Sequence, residues 1–128
     1  MAIMLKIRWD MKPGRESEFR ENQKKLCTVM GSDHPGVICY HVDYPAPGVS
    51  EWVEIYANDS VFKAHLDNKK GKEPLAMLIG ACDRITCGCW GDPDAESKKI
   101  LAGFGTTYHE TAEDSFLLHP KADRASLI

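Results

Sequence analysis

The clearest pattern along the chain is the alternation of apolar and polar side chains in residues 3–11, which is typical of a half-buried β-strand. Residues 37–44 and 51–56 are rich in β-branched and aromatic side chains, and a short loop containing proline and glycine separates them. That arrangement favours an antiparallel hairpin. Residues 84–90 have a similar composition, so the sequence predicts four strands.

Helical patterns lie between these strands. Residues 15–30 contain neither proline nor glycine and place one apolar stripe on a largely charged helix. Residues 58–60, Asn-Asp-Ser, offer capping side chains to a second helix. The run Gly-Lys-Glu-Pro interrupts that helix, and Pro74 suits the first turn of its second part, where the missing N–H has no helical partner to lose.

The resulting element order is β-α-β-β-α-β, the split βαβ pattern of a ferredoxin-like α+β fold with an antiparallel sheet. A four-stranded sheet with its helices on one side leaves the other face uncovered. The predicted strands carry large apolar side chains at positions that point to both faces. We therefore expect a second copy of the chain to cover the free face, which makes the protein a homodimer.

Residues 92–128 extend beyond what this fold requires, so we divide the chain into a ferredoxin-like domain, residues 1–91, and a C-terminal part. The Asp-Pro pair at residues 92–93 predicts the start of a helix that ends near Gly103. Residues 104–119 contain large apolar side chains without a helical period, which indicates an extended arm. We expect the C-terminal part to pack on its own domain or on the partner subunit, and a clasp over the partner's sheet edge is favoured.

Composition narrows the classes of partner. The 16 basic side chains are scattered among 19 acidic ones and the net charge is −3, so a nucleic-acid partner is not expected. No apolar run approaches the roughly 20 residues that cross a bilayer, and the first residues lack the pattern of a secretory signal. We therefore expect a cytoplasmic protein with no membrane partner.

No metal or cofactor site is predicted from the motifs. The five histidines never occur in HxH or HxxxH spacing, which argues against a zinc or iron site. Cys87 and Cys89 would share one face of a strand, either as two small buried hydrophobic side chains or as a metal or redox pair that lacks further ligands at useful spacing. Neither a phosphate-binding glycine loop nor a recognised flavin or nicotinamide motif occurs, so no cofactor is expected.

Four short motifs, taken in their order and spacing, resemble the antibiotic biosynthesis monooxygenase family of dimeric α+β barrels. They are MKPG at residues 11–14, DHPGV at residues 33–37, EIYAND at residues 54–59 and AHL at residues 64–66. The likeness covers about residues 3–90, and a tyrosine stands at position 56 where tryptophan is commoner in the family. It implies a dimeric barrel and a family whose activities include cofactor-free quinol and anthrone oxygenases, isomerases and haem degraders.

Haem is not an expected ligand among these activities. The haem degraders that the chain resembles carry an asparagine on the first strand and an axial histidine on a late helix. Ile7 and approximately Leu75 occupy those positions here, and neither side chain can ligate iron or form a hydrogen bond.

The predicted hairpin also indicates a pocket wall. Pairing across the loop would place His41 opposite Glu54, with Asp43 on the same face of the sheet. Trp52 and Tyr56 would share that face, although a slip of one residue would move each side chain to the other side. This polar and aromatic surface either lines a pocket that orients a substrate or forms hydrogen bonds across a subunit interface.

Glu54 and His65 are the predicted catalytic residues. A carboxylate between aromatic side chains in a low-dielectric setting has a raised pKa, which suits proton transfer near neutral pH. Alternatively, Glu54 forms an ion pair with Arg8 or Arg84 on neighbouring strands. His65 shares a helical stripe with apolar residues and points inward, either as a satisfied core histidine or as the pocket residue that the resemblance implies.

Together the residues and the resemblance lead us to expect a small cofactor-independent monooxygenase that acts on a quinol, a phenol or an enolisable carbonyl compound. The predicted substrate-binding side chains are His41, Trp52, Tyr56 and Trp9. Either tryptophan is alternatively a core or interface residue. The alternative functions are an isomerase or lyase of a small carbonyl metabolite that uses the same proton shuttle, and a metabolite-binding module without catalysis.

Overall fold

The computed structural model describes residues 2–117 and 119, which form a five-stranded mixed sheet and four helices. The elements in chain order are β1 (Ile3–Met11), α1 (Glu16–Asp33), β2 (Val37–Ala46), β3 (Val49–Tyr56), α2 (Asp59–Asp67), α3 (Lys69–Gly80), β4 (Cys82–Trp90), α4 (Ala95–Ala102) and β5 (Thr106–His109). The strands are ordered β2-β3-β1-β4-β5 and pair antiparallel, except that β4 and β5 run parallel. The predicted ferredoxin-like α+β fold is confirmed.

The alternation in β1 explains its place in the middle of the sheet. Its odd-numbered side chains are almost completely buried, whereas Lys6 and Arg8 on the other face are exposed. The buried face joins aliphatic and aromatic side chains of β3 and of the helices in one hydrophobic core. The observed bounds of β1 are those that the period-two pattern predicts.

The pairing of β2 with β3 differs from the predicted register by one residue. Tyr40, not His41, lies opposite Glu54. The strands run further than predicted into a two-residue turn at residues 47–48, and an irregularity between Asp43 and Ala46 shifts the pairing. Because successive side chains of a strand alternate between faces, His41 and Asp43 point away from the helices, and their predicted place beside Glu54 is wrong.

The second helix is divided as predicted, but the division lies earlier in the chain. Asn68 follows α2 and caps α3 by accepting a hydrogen bond from the N–H of Lys70 at 2.9 Å. α3 therefore begins at Lys69, and Pro74 lies inside it instead of in its first turn. The N-cap of Asn68 and the burial of the Pro74 ring offset the cost of a proline in the helix interior.

Two more bounds differ from those predicted. α1 continues through Gly31 to Asp33, whose side chain accepts hydrogen bonds from Asn68 at 3.0 Å and from Lys70 at 3.3 Å. These contacts come from the helix pair that packs beside α1, so the local sequence of α1 does not reveal them. β4 begins at Cys82, two residues before the predicted start.

The C-terminal helix begins after Asp94, which accepts a hydrogen bond from the N–H of Ser97 at 2.8 Å, so the start predicted at residues 92–93 is two residues early. Its end near Gly103 is confirmed. The chain then adds β5 to the edge of its own sheet, beside β4, where we predicted an extended arm and favoured a clasp over the partner's sheet edge. Leu118 and residues 120–128, which belong to the predicted C-terminal part, lie outside the described residues.

The sheet face away from the helices is more polar than we predicted. Arg8 contacts Asp10 at 3.2 Å and Glu51 at 3.9 Å on this face. Trp90 and His109 stack on each other with ring centroids 4.5 Å apart. Apolar and charged side chains are thus mixed here, and a homodimer across this face stays a prediction.

Candidate active site

Glu54 lies on β3, between β1 and β2, and only 3% of it is exposed. Burial in apolar surroundings disfavours the charged form and raises the pKa of Glu54 to about 7. The hydroxyl group of Tyr56 donates a hydrogen bond to Oε1 of Glu54, which lowers that pKa by stabilising the carboxylate. The pKa of this carboxyl group therefore lies near neutral pH.

His65 approaches Glu54 from α2. The side chain of Asn58 caps this helix by accepting a hydrogen bond from the N–H of Val61 at 3.0 Å. His65 is 5% exposed, and its Nε2 atom lies 4.0 Å from Oε1 of Glu54, while its ring stacks on Tyr56 with centroids 5.7 Å apart. Burial, and to a smaller extent the nearby His34, lower the pKa of His65 to about 4. The imidazole is neutral at pH 7, so these two groups form no ion pair there.

The predicted alternative, an ion pair between Glu54 and Arg8 or Arg84, is not formed. Arg8 lies on the other face of the sheet, where it contacts Asp10 and Glu51. Arg84 borders the same outer surface as Arg8. A carboxyl group that is buried without a cation keeps its proton to a higher pH than one in an ion pair, and this is the electrostatic basis of the site.

Two tryptophans pack together beside the acid. Trp9 of β1 and Trp52 of β3 are each 1% exposed, with ring centroids 5.1 Å apart. Nε1 of Trp52 donates to Oγ of Ser50 at 2.8 Å. Nε1 of Trp9 is buried and has no hydrogen-bond partner among the described residues. An unpaired buried donor is rare in folded proteins, so this N–H group is a feature of the site that calls for a partner.

A small cavity lies between the sheet and the helices, with a volume of about 20 Å³, room for roughly one water molecule. Its walls are mainly apolar or aromatic. The predicted residues that line it are Glu54, His65, Trp9 and Trp52. The other lining residues are Leu5, Ile7, Tyr40, Phe62, Leu66, Leu75, Cys87, Leu101 and Phe104.

Two of the predicted substrate-binding residues have other positions. His41 is exposed on the far side of the sheet, because of the one-residue shift in register. Tyr56 does not line the cavity. It contacts both predicted catalytic residues, since its hydroxyl donates to Glu54 and its ring stacks on His65. Tyr40 takes the place predicted for His41, and its ring meets that of His65 edge-on at 5.7 Å. The alternation of Tyr40, Val42 and Tyr44 with the polar His41 and Asp43 is the signal that could have identified Tyr40.

Cys87 and Cys89 are both buried in the core, where burial raises the pKa of Cys87 to about 11 and that of Cys89 to about 12. Both thiols therefore stay protonated at neutral pH, as expected of small hydrophobic side chains. No three or more His, Cys, Asp or Glu side chains gather to hold a metal ion within residues 2–117 and 119. Over the same residues, no helix is long and apolar enough to cross a membrane.

Several solved structures share this fold. A protein from Caulobacter crescentus, named as a candidate antibiotic biosynthesis monooxygenase, is 18% identical with a TM-score of 0.64, over 73% of this chain and 91% of that one. A candidate antibiotic biosynthesis monooxygenase from Bacteroides thetaiotaomicron is 19% identical with a TM-score of 0.62, over 67% and 84% of the two chains. MupZ from Pseudomonas fluorescens is 13% identical with a TM-score of 0.70, over 94% and 97%.

The chain has the antibiotic biosynthesis monooxygenase fold. At these identities the likeness shows the fold and supports the resemblance drawn from the four motifs. No family model matches the chain, and no curated protein matches it. The match to MupZ extends over nearly the whole of this chain, so it reaches past the ferredoxin-like part.

Proposed function

We propose that the protein is a small cofactor-independent monooxygenase of the antibiotic biosynthesis type, acting on a quinol, a phenol or an enolisable carbonyl compound. One observation carries this proposal. Glu54, with its pKa raised to about 7, and the neutral His65 line the same apolar cavity, with 4.0 Å between Nε2 and Oε1. A proton acceptor whose pKa lies near the working pH is suited to general base catalysis.

The first step is removal of a proton from the substrate. The ionised fraction of Glu54 accepts the proton from a phenolic O–H or from a C–H beside a carbonyl group. Tyr56 donates its hydrogen bond to Oε1 and so holds the carboxylate in one orientation. Nδ1 of His65, which has no partner among the described residues, is available to hold the substrate or to take the proton onward.

The substrate itself supplies the electrons in the second step. The phenolate or enolate gives one electron to O₂, and the resulting radical pair combines to form a C–O bond in a peroxide. Glu54 returns its proton to the outer peroxide oxygen, the O–O bond breaks, and the carbon loses its remaining hydrogen as water leaves. One oxygen atom of O₂ ends in the new carbonyl group and the other in water. This balances the four-electron oxidation of C–H₂ to C=O in a carbonyl compound, and of a phenol to a quinone, where the two hydrogens lost come from the O–H and from one ring C–H.

The chemical character of the cavity walls suits a flat aromatic substrate of low charge. The rings of Trp9, Trp52 and Tyr40 supply aromatic surface, and neither lysine nor arginine lies among the described lining residues. The unpaired N–H of Trp9 is placed to donate to a substrate oxygen, where it would stabilise developing negative charge. We further propose that the protein works as a homodimer in the cytoplasm.

Oxygen uptake tests the proposal. Single-ring to three-ring phenols and enolisable ketones are screened for binding, and each bound compound is then assayed with an oxygen electrode. Glu54→Gln keeps the hydrogen bond from Tyr56 but removes the base, so we expect uptake to fall by about 10²-fold or more. The matched control is Glu51→Gln, on the same strand but exposed on the far face, which should keep full activity.

Each result decides between the functions. Equal uptake by wild type and Glu54→Gln would contradict the assignment of the base. If the protein exchanges substrate hydrogen for deuterium from D₂O under argon, and a product forms without O₂, the protein is an isomerase or a lyase instead. Binding without turnover or exchange would assign a metabolite-binding module.

A further inference from the structure

A residue outside the predicted site lines the cavity and is partly exposed to solvent. Phe104 lies in the turn between α4 and β5, is half-buried against the core, and lines the cavity together with Leu101. Both residues lie beyond the part of the chain whose motifs resemble the family. The C-terminal part thus contributes to the wall of the site that contains Glu54 and His65.

A wall of this cavity must move before a substrate can bind. The cavity of about 20 Å³ holds roughly one water, whereas a ligand the size of benzene fills one on the order of 150 Å³. The lining side chains on β1 and β3 are almost completely buried in a close-packed core, which resists expansion. The half-buried lining residues are Tyr40, Leu66, Leu75 and Phe104.

Phe104 differs from the other three half-buried residues because it belongs to neither a helix nor a strand. Gly103 and Gly105 flank it, and Gly105 has a φ of +61°, in the left-handed region that glycine adopts without strain. The turn is held by the N–H of Phe104, which donates to the carbonyl of Leu101 at 3.0 Å, and by the hydroxyl of Thr106, which donates to the same carbonyl at 2.6 Å.

Of the two segments beside the turn, α4 is held more firmly than β5. α4 is anchored at its start, where Lys63 contacts Asp94 at 3.0 Å and Glu96 at 3.3 Å. β5 has four residues and pairs with β4 alone, at the edge of the sheet. The turn that carries Phe104 therefore joins an anchored helix to a short strand at the edge of the sheet, and such edge elements open locally at a lower free energy than core strands and helices.

We propose that Phe104 determines the size of the ligand that this cavity accepts. Its ring fills the solvent side of the cavity in the free protein and swings outward to admit a planar aromatic ligand, so the C-terminal part selects the substrate by size. This inference rests on the proposed function only in placing the substrate in the cavity. The size limit itself can be measured by binding, without turnover.

The test measures binding of phenol, 1-naphthol and 1-hydroxypyrene to ¹⁵N-labelled protein. The indole N–H signal of Trp9 reports occupancy of the cavity, and that of Trp90, on the outer face of the sheet, is the internal reference. We expect Phe104→Ala to bind 1-naphthol about tenfold more tightly than wild type, because the second ring fills the vacated space, with a smaller change for phenol. Phe104→Trp should weaken 1-naphthol binding by a similar factor.

Phe116→Ala is the control, because Phe116 also lies in the C-terminal part but is 56% exposed and does not line the cavity. Phe104→Leu keeps an apolar side chain of intermediate size, so it tests the same size order if the alanine variant unfolds. Affinities that do not follow the size of residue 104 would overturn the inference, as would ligand shifts confined to Trp90. If the preferred ligand size follows residue 104 but no variant takes up O₂, the monooxygenase is refuted and the role of Phe104 is supported. If O₂ uptake depends on Glu54 but the order of ligand affinities does not change with residue 104, the monooxygenase is supported and the role of Phe104 is refuted.

Discussion

Replacing Glu54 with glutamine should change how the stability of the protein depends on pH. The folded protein keeps the proton on Glu54 up to a pH of about 7, whereas the unfolded chain releases it near the ordinary value of 4.5. Between these values the folded state binds more protons than the unfolded state, so the free energy of unfolding falls as the pH rises. The contribution of Glu54 to the free energy of unfolding is therefore fully present below about pH 4.5, and it is lost as the pH rises through about 7.

The magnitude follows from the size of the shift. A rise from 4.5 to about 7, at roughly 1.4 kcal/mol for each pKa unit, corresponds to about 3 kcal/mol in total, of which about 2–3 kcal/mol falls between pH 5 and pH 8. The glutamine side chain in Glu54→Gln has no ionisable proton, so this variant lacks the dependence of stability on pH that Glu54 causes. His65 has the opposite effect, because its pKa is lowered and it stabilises the fold as the pH rises from about 4 to 6.5. That contribution is present in both proteins and cancels in their difference.

Urea unfolding at pH 5 and pH 8 gives the required free energies. The stability of Glu54→Gln relative to wild type should be higher at pH 8 than at pH 5 by about 2–3 kcal/mol. Glu51→Gln, exposed on the same strand, should change the stability by less than about 0.5 kcal/mol at either pH. If the difference between Glu54→Gln and wild type is the same at both pH values, the carboxyl group of Glu54 ionises normally in the fold and the argument for a general base is wrong.

Three further variants test neighbouring contacts. Tyr56→Phe removes the hydroxyl that stabilises the carboxylate of Glu54, so the pH–activity profile should shift to higher pH; an unshifted profile would show that this hydrogen bond does not tune the acid. Ser50→Ala leaves the indole N–H of Trp52 buried and unpaired, which should lower the free energy of unfolding by about 1–3 kcal/mol in urea titrations, and a neutral effect would mean that water replaces the serine. Deletion of residues 104–128 removes β5 and exposes the edge of β4, so the melting temperature should fall and the proposed dimer should weaken in sedimentation experiments; unchanged values would mean that this part contributes to neither.

Local patterns were sufficient for the order of elements from β1 to α4, although they did not predict β5. The alternation in residues 3–11 predicts β1 with its observed bounds, because the period of two is the geometry of the strand itself. The inward direction of His65 follows in the same way from helical spacing. The position of Pro74 was mispredicted, since the capping contact of Asn68 starts α3 five residues earlier than the proline rule suggests.

The tertiary structure decided which side chains meet. His41 and Tyr40 are adjacent in sequence, and a shift of one residue in the pairing of β2 with β3 sends one to each face of the sheet. Such a shift depends on bulges and on the turn that joins the strands, which local propensity does not specify. Phe104 lines the cavity just before β5 pairs with β4, and that pairing joins segments whose local sequence did not indicate it.

The pKa of Glu54 likewise depends partly on the sequence and partly on the folded structure. The sequence shows a carboxyl group between two aromatic residues on a predicted strand, and this was enough to predict a raised pKa for Glu54. The folded structure shows that neither Arg8 nor Arg84 reaches the acid and that His65 lies 4.0 Å away. The reason is physical: residue identity sets the ordinary pKa of a group, whereas desolvation and neighbouring charges, which shift it, depend on distances that exist only after the strands and helices have packed.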